Sequence, residues 1–578
     1  PAVTGGVALG AAGVLLAFGV VTGSVSGDGG LFGIWGILKR PELDLRAPGI
    51  LLVIFLAGFF APAATRSLRK TLAFGLAVLP LGLTARAATA LNAEPLVAQA
   101  IERGAALGKP SLAALRRLTD RDRDGFSPYF GGGDCDDKNP DVNPLAKDIP
   151  DDGIDQDCDG KDLHQADLDK LAPKPAPPPA SAAAGRAKIP DDLDLVLITV
   201  DTMRADLGYA GNPHPLSKNL DALAARSTVF DHAYSLASYT GKSVGPLLIG
   251  KYPSETHRNW GHFNRFSKED TFVAERLQKA GIHTMSVQGH RYFGKFGGLD
   301  RGFDVVDMSV APPEGTKWDV DSGYNSDKLS DRAIALLEDP ANTKGRFFLW
   351  IHYLDPHADY VRHEGFDFGN SQRDLYDGEI AFTDHHIGRL LDVIAKSPFG
   401  AKTAIIVTSD HGEAFGEHKM VRHGVELWEE LVHVPLIVHV PGAAPGHVAV
   451  RRSAIDLVPT MLDLMRVPAP DGKDPNDFVS GTSLLPDVLA PASAAPRDVL
   501  VDMPGGPYND PRRSLIHGDL KLTISNGAHE ELFDLAKDPD ERHDLETSDP
   551  AAKAAIEPVY QAVRARLREI KVTGERKQ

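Results

Sequence analysis

An aspartate and a histidine stand side by side in Thr408-Ser409-Asp410-His411-Gly412, directly after the apolar run Thr403 to Val407. The run reads as a buried strand. A carboxylate and an imidazole at its carboxyl end can both turn toward one metal ion in a crevice. A second strand-like run, Leu195 to Val200, ends the same way in Asp201. Between them Thr240-Gly241-Lys242-Ser243 opens a segment that continues to Gly250-Lys251-Tyr252-Pro253 and reads as a helix start. Two strand ends bearing ligands and one hydroxyl outline a metal-assisted ester-cleaving site. Asp201, Asp410 and His411 are the expected ligands, with the Thr240 hydroxyl completing the shell of one divalent ion. These residue types leave calcium, magnesium, manganese and zinc open.

With other segments in a set order, these residues resemble the sulfatase family of the alkaline phosphatase superfamily. The resemblance rests on Ile198-Thr199-Val200-Asp201-Thr202-Met203-Arg204-Ala205-Asp206, on His352-Tyr353-Leu354-Asp355-Pro356-His357 and on Tyr376 to Asp384. It continues through Ser409-Asp410-His411-Gly412-Glu413, Gly416-Glu417-His418, and Glu531-Leu532-Phe533-Asp534-Leu535 with Lys537-Asp538-Pro539. It runs from about Asp192 to Leu545. It implies that His357 contacts substrate, binding a non-bridging oxygen or protonating the leaving group, and that His423 is a further site position. Lys242 can bring a positive charge to the substrate anion, a solvated loop lysine being the other reading. His352 reads as a core residue or a support of the site, Arg204 as a structural ion-pair partner and His418 as a solvated loop residue.

One departure bears on the reaction. Typical sulfatases carry Cys or Ser in a Cys/Ser-x-Pro-x-Arg motif, and that first residue is oxidised to formylglycine. Counted back from Gly250-Lys251-Tyr252-Pro253, the nucleophile column holds Thr240, the proline column Lys242 and the arginine column Val244. Threonine cannot yield the aldehyde, because oxidation of its secondary alcohol gives a ketone. A threonine here resembles the nucleophile of phosphoglycerol transferases of the lipoteichoic-acid-synthase type and of phosphoethanolamine transferases. The expected function is a membrane-anchored, metal-dependent enzyme that cleaves or transfers a phospho- or sulfo-ester group through Thr240. A true sulfuric ester hydrolase and a non-catalytic calcium-binding surface protein are the alternatives.

Several elements must position these groups. Leu195–Val200, Ile282–Val287, Phe347–Tyr353, Ala404–Val407 and Val434–Val440 are short apolar runs rich in β-branched residues. Leu220–Arg226, Phe272–Lys279, Asp327–Leu337 and Gly378–Ile394 show helical spacing. Such alternation predicts an α/β domain over 191–570, a mostly parallel sheet sandwiched by helices with ligands beyond the strands' carboxyl ends.

Upstream, 1–91 reads as a membrane region with three candidate spans: Gly5 to Val25, Pro48 to Ala64 and Thr71 to Leu91, the last interrupted by Pro80 and Arg86. Arg66, Arg69 and Lys70 place the second connection in the cytoplasm, against the pull of Lys39, Arg40 and Arg46. Everything after Leu91 is then expected outside the bacterial cytoplasmic membrane, on its periplasmic or extracellular side. The chain opens at Pro1 without Met, which leaves room for an upstream portion.

A connecting helix is expected over 92–118, followed by an acidic module over 119–163. Asp120, Asp122 and Asp124 alternate before Gly125; Asp134 and Asp136 flank Cys135; Asp155, Asp157 and Asp159 alternate before Gly160. Carboxylates packed this densely repel unless a hard cation sits among them, and calcium is the expected one. The module also resembles a small metal-binding repeat of bacterial surface proteins, copper-binding ones included. Cys135 and Cys158 are the only cysteines and suit one disulfide in an oxidising compartment. A coreless linker occupies 164–190, with Pro and Ala concentrated from Leu171 to Arg186. With 62 Lys plus Arg against 79 Asp plus Glu the net charge is −17, which excludes nucleic acid as the main partner. The expected partners are an anionic ester substrate, of the lipid or cell-envelope glycan kind, and a membrane.

Overall fold

The computed structural model describes residues 70–93, 97–98, 101–102, 108–171, 182, 185–312, 326–357, 359–527 and 529–572. They fall into two compact units, one reaching residue 146 and including 154–161, the other comprising 147–153 and the chain from 162 onward.

The larger unit is built on an eight-stranded sheet: β1 (Asp194–Val200), β2 (Thr228–Phe230), β3 (His283–Gln288), β4 (Val305–Asp307), β5 (Phe347–Tyr353), β6 (Thr403–Ser409), β7 (Leu436–His439) and β8 (Gly446–Val448). Their order is β8-β2-β7-β6-β1-β5-β3-β4. Only β7 runs antiparallel to its neighbours, so the sheet is mixed and mostly parallel. Every residue of β1 is buried because helices cover both faces. Its alternate side chains feed two cores. Leu195 and Leu197 pack with α1 (Thr240–Ile249) and α4 (Leu457–Leu464). Val196, Ile198 and Val200 pack with α2 (Ser326–Glu338) and α3 (Gln372–Lys396).

The expected strand Val434–Val440 is broken in two. His433–Val434 pairs with Ala233–Tyr234, and β7 starts afresh at Leu436 in the main sheet. Pro435 stands at the break, where it has no N–H to give a ladder. Downstream, Val499–Met503, Arg512–His517, Leu520–Ser525 and His529–Asp534 form an antiparallel four-stranded sheet in chain order. Leu515, Leu522 and Leu532 on it pack against Ile556, Val559 and Tyr560 of α5 (Pro550–Arg566).

In the smaller unit Gly108–Thr119 is helical, and Leu91, Ala98, Leu112 and Phe130 form a small core. The third expected span, Thr71 to Leu91, lies in the helix Lys70–Ala93. No helix among the described residues is long and apolar enough to cross a membrane. Thr84, Arg86 and Thr89, all exposed, dilute this one. The other two candidate spans lie outside the described residues, as does most of the Pro/Ala linker. The linker's last residues differ from the coreless reading: Arg186 pairs with Asp463 at 2.9 Å, and Gly185 lies against Leu489.

Candidate metal and active site

Strands β1 and β6 are parallel neighbours in which Val200 pairs with Ser409. The next residue of each, Asp201 and Asp410, therefore leaves the same sheet edge side by side. Asp201, Asp410 and His411 each bring one ligand atom within 4.8 Å of the others, and all three are buried. Thr240 is the first residue of α1. Its hydroxyl lies 3.0 Å from His411 Nε2 and 3.4 Å from each carboxylate oxygen of Asp201.

The surrounding residues hold this arrangement. His411 Nδ1 lies 2.9 Å from the Gly412 carbonyl oxygen, which can only accept. The ring proton thus sits on Nδ1, and the Nε2 lone pair faces Thr240 and the carboxylates. Gly412 donates its N–H to the Leu431 carbonyl, and a Cβ here would come 2.1 Å from the Glu430 carbonyl oxygen. Only glycine fits. Ser409 Oγ lies 2.6 Å from the carbonyls of both Val200 and His411 and accepts the Met203 N–H, tying the two strand ends together. Thr202, beside Asp201, has φ of 56°, a strained value for a β-branched residue. Tyr376 pins it by donating to the Thr202 carbonyl at 2.9 Å, and the Thr202 hydroxyl donates to the Pro356 carbonyl at 2.8 Å.

Asp410 Oδ2 is buried without a hydrogen-bond partner. Burial, then the facing Asp201 charge, pushes the Asp410 carboxyl up. Asp201, which burial alone would also raise, is held well below the usual carboxylate range by His352 and the nearby imidazoles. Two buried carboxylates of which one resists ionising, beside a hydroxyl and an imidazole whose lone pair faces them, fit a divalent cation.

Two further imidazoles line the site. The His423 ring lies 4.4 Å from that of His411 and 5.0 Å from that of His357. Its Nδ1 is 3.0 Å from Glu413 Oε1, and Glu413 also accepts from the Tyr360 hydroxyl at 2.8 Å. Burial opposes the charge on Glu413, but His423 and Tyr360 together hold its carboxyl below the ordinary value.

Lys242 is not the solvated loop lysine of the other reading. It is 2 % exposed, and its Nζ donates to the Gly505 carbonyl at 3.1 Å. A Cβ on Gly506 would lie 3.0 Å from that Nζ, so the glycine pair lets the loop after Val499–Met503 close on α1. His418 also departs from expectation: half-buried, its ring stacks on Trp428 at 3.9 Å. Arg204 is the expected structural partner, 2.8 Å from Glu417. His352 sits in β5 with Nε2 3.5 Å from Asp201 Oδ2, which makes it part of the site's support. In the segment Tyr376 to Asp384, Asp384 accepts the N–H groups of Asn219 and Leu220 at the start of the helix Lys218–Ala224. Sequence reasoning missed Glu413 as a partner of His423, although it follows the Asp-His-Gly directly.

In the smaller unit Cys135 and Cys158 form a disulfide with Cα atoms 5.7 Å apart. Asp120 accepts the Arg123 and Gly125 N–H groups, and Asp155 accepts those of Asp159 and Gly160. The two loops are thus built alike, each closed by a glycine with positive φ. Asp120, Asp122 and Asp124 converge within 4.8 Å. One oxygen each of Asp122, Asp124 and Asp134 is buried without a partner. Burial, and then the charges of Asp124 and Asp122, raise the Asp134 carboxyl to about 6. Asp134 Oδ1 accepts the Asp136 N–H; Asp157 accepts the Asp159 N–H.

The sulfatase family profile matches residues 194–467, and a metal-binding motif family, Cu-binding MopE, matches residues 134–162. The uncharacterized sulfatase YidJ of Escherichia coli K12 is 24% identical over 437 residues, covering 61% of this chain and 82% of that protein. The ulvan-active sulfatase of Formosa agariphila is 25% identical, covering 62% and 77%. Among solved structures, the phosphonate monoester hydrolase of Agrobacterium radiobacter superposes with a TM-score of 0.52 at 19% identity, over 64% of this chain and 94% of that one. The last likeness is one of fold. The sulfatase family model thus covers the stretch that carries the Asp201, Thr240, Asp410 and His411 site, and there the chain is similar to proteins that bear the name sulfatase.

Proposed function

We propose that this chain is a metal-dependent enzyme that cleaves or transfers a phospho-ester group of an anionic substrate, with Thr240 as nucleophile. The observation that carries this is the place of the Thr240 hydroxyl, within 3.4 Å of Asp201 and 3.0 Å of His411 at the first residue of α1. In support, the register counted back from Gly250 puts at this position a side chain that cannot become formylglycine.

A bound divalent cation, held by Asp201, Asp410, His411 and Thr240, would lower the cost of ionising the hydroxyl and polarise the ester oxygen. Thr240 gives up its hydroxyl proton to solvent, and Oγ forms its bond to phosphorus as the ester bond on the opposite side breaks; the later displacement releases Oγ again as the alkoxide. The departing oxygen takes a proton from His423 or His357. His423 donates through Nδ1 to Glu413, so Nε2 is its exchanging nitrogen. Lys242, buried at the start of α1, adds positive charge near the substrate anion. Water or an acceptor hydroxyl then displaces the phosphoryl group from Thr240 and returns the proton to the same imidazole.

Sulfate-ester hydrolysis is the second reading, favoured by relatives that bear the name sulfatase. Assay of the metal-loaded protein with matched aryl phosphate monoester, phosphodiester and sulfate substrates separates the two. Turnover of a phosphoester at least tenfold above the sulfate is expected, and turnover of the sulfate alone would overturn the proposal.

The acidic module is proposed to bind calcium. Its three orphaned carboxylate oxygens are hard donors, and residues 119–163 contain no histidine or methionine, with both cysteines in the disulfide. Calorimetric titration of the full chain should show calcium binding that is lost in the Asp122→Asn, Asp124→Asn double variant, with ester turnover unchanged. Heat from copper but none from calcium would refute the assignment.

A further inference from the structure

We infer that His352 is a positioning residue of the metal site, turning its Nε2–H toward Asp201 and so holding that carboxylate in the orientation that faces the cation. His352 pairs with Thr199 across the parallel strands β1 and β5. It is fully buried, and its ring packs on Phe293 with centroids 4.4 Å apart. The tautomer follows from a chain of hydrogen bonds. Trp350 Nε1 lies 3.0 Å from Thr199 Oγ1, and an indole N–H only donates, so this hydroxyl accepts there. The hydroxyl's own proton has two acceptors in reach, His352 Nδ1 at 2.7 Å and the Ile351 carbonyl at 3.3 Å. The other ring nitrogen, Nε2, faces the Asp201 carboxylate, which when ionised can only accept, so the tautomer that satisfies both ends of the ring has Nδ1 accepting this proton. With Nδ1 accepting, the ring proton is on Nε2.

That nitrogen is buried, its 3.5 Å contact with Asp201 Oδ2 is longer than an ordinary hydrogen bond, and Asp201 is the acceptor it faces. Asp201 meets three groups: His352 at Oδ2, His411 Nε2 3.5 Å from Oδ1, and the Thr240 hydroxyl. Two of these belong to the proposed metal shell, and His352 enters from the strand on the far side of β1. Its reach is set by β5 and by Thr199, which do not depend on the cation. A carboxylate steered in this way is ready for metal before metal arrives, as a ligand is when an outer partner fixes its orientation. The inference concerns metal binding and does not depend on which ester is cleaved.

Titration of Mn²⁺, and separately Zn²⁺, into metal-free full-length protein tests this by calorimetry. His352→Leu should weaken binding about 10- to 100-fold. His352→Gln, whose amide N–H can take the place of Nε2–H, should stay within about fivefold of wild type. Thr199→Val, which frees the tautomer without touching Asp201, should weaken binding in the same direction and carries the test if His352→Leu fails to fold. Melting of the metal-free forms establishes folding. Co²⁺-loaded wild type and His352→Gln should share the same visible absorption bands. Unchanged affinity in a folded His352→Leu, or in Thr199→Val, overturns the inference. Shifted Co²⁺ bands also overturn it, by making His352 a metal ligand itself.

Discussion

Thr240→Ala is expected to lower turnover at least a thousandfold while leaving a folded protein, the scale on which enzymes lose rate when a covalent nucleophile is removed. The residue belongs to the N-terminal turn of α1, whose cap is Tyr239, so truncation leaves the helix its start. Thr240→Ser keeps a hydroxyl and should keep part of the activity. Rapid acid quench of the wild type during turnover, followed by mass spectrometry, should find a phosphoryl group on Thr240. A folded Thr240→Ala protein with full turnover would remove Thr240 from the chemistry and point to a different nucleophile.

The second large effect is on the metal. Asp410→Asn and His411→Ala should each lose bound metal and activity together, read by elemental analysis of dialysed protein alongside the ester assay. The metal-free forms give a further sign. In the wild type without metal, Asp410 is raised by burial and then by the charge on Asp201. A carboxyl raised in the folded state contributes stability that is fully present below its unfolded value, about 3.9, and lost as pH climbs through the raised folded value. Chelated wild type should therefore lose stability from this group as pH rises from acid toward neutral. Asp410→Asn has no such group, so without metal it should be the more stable protein at pH 8 and lose that advantage at pH 4. Denaturant unfolding at the two pH values measures this. An Asp410→Asn protein that keeps its metal would show that the cation is held elsewhere.

Most of the framework that brings Asp201, Thr240, Asp410 and His411 together was legible in the residues themselves. An apolar run buried on both faces and followed by an acid marks a strand of a covered sheet with a ligand at its end. Asp201 and Asp410 are read that way, and the α/β alternation predicts the sheet between them. Thr240 is identified by counting back from Gly250, and that glycine is itself needed: it has φ of 81°, and a Cβ there would lie 2.8 Å from Val458. The paired loops of the acidic module are legible too, because each aspartate accepts N–H groups from residues only a few places along.

Tertiary structure decided what depends on which distant segments become neighbours. His352 reaches Asp201 because β5 lies beside β1, although the paired residues Thr199 and His352 are 153 apart in the chain. Lys242 is buried because a loop 263 residues downstream closes over it, and no periodicity around Lys242 announces that. The same holds for His418 on Trp428 and for the antiparallel sheet whose first connecting loop contains Gly505. Local patterns specify strands, caps and turns through interactions a few residues long. The environment of a charged side chain is set by what packs against it, and that depends on the order of strands in the sheet.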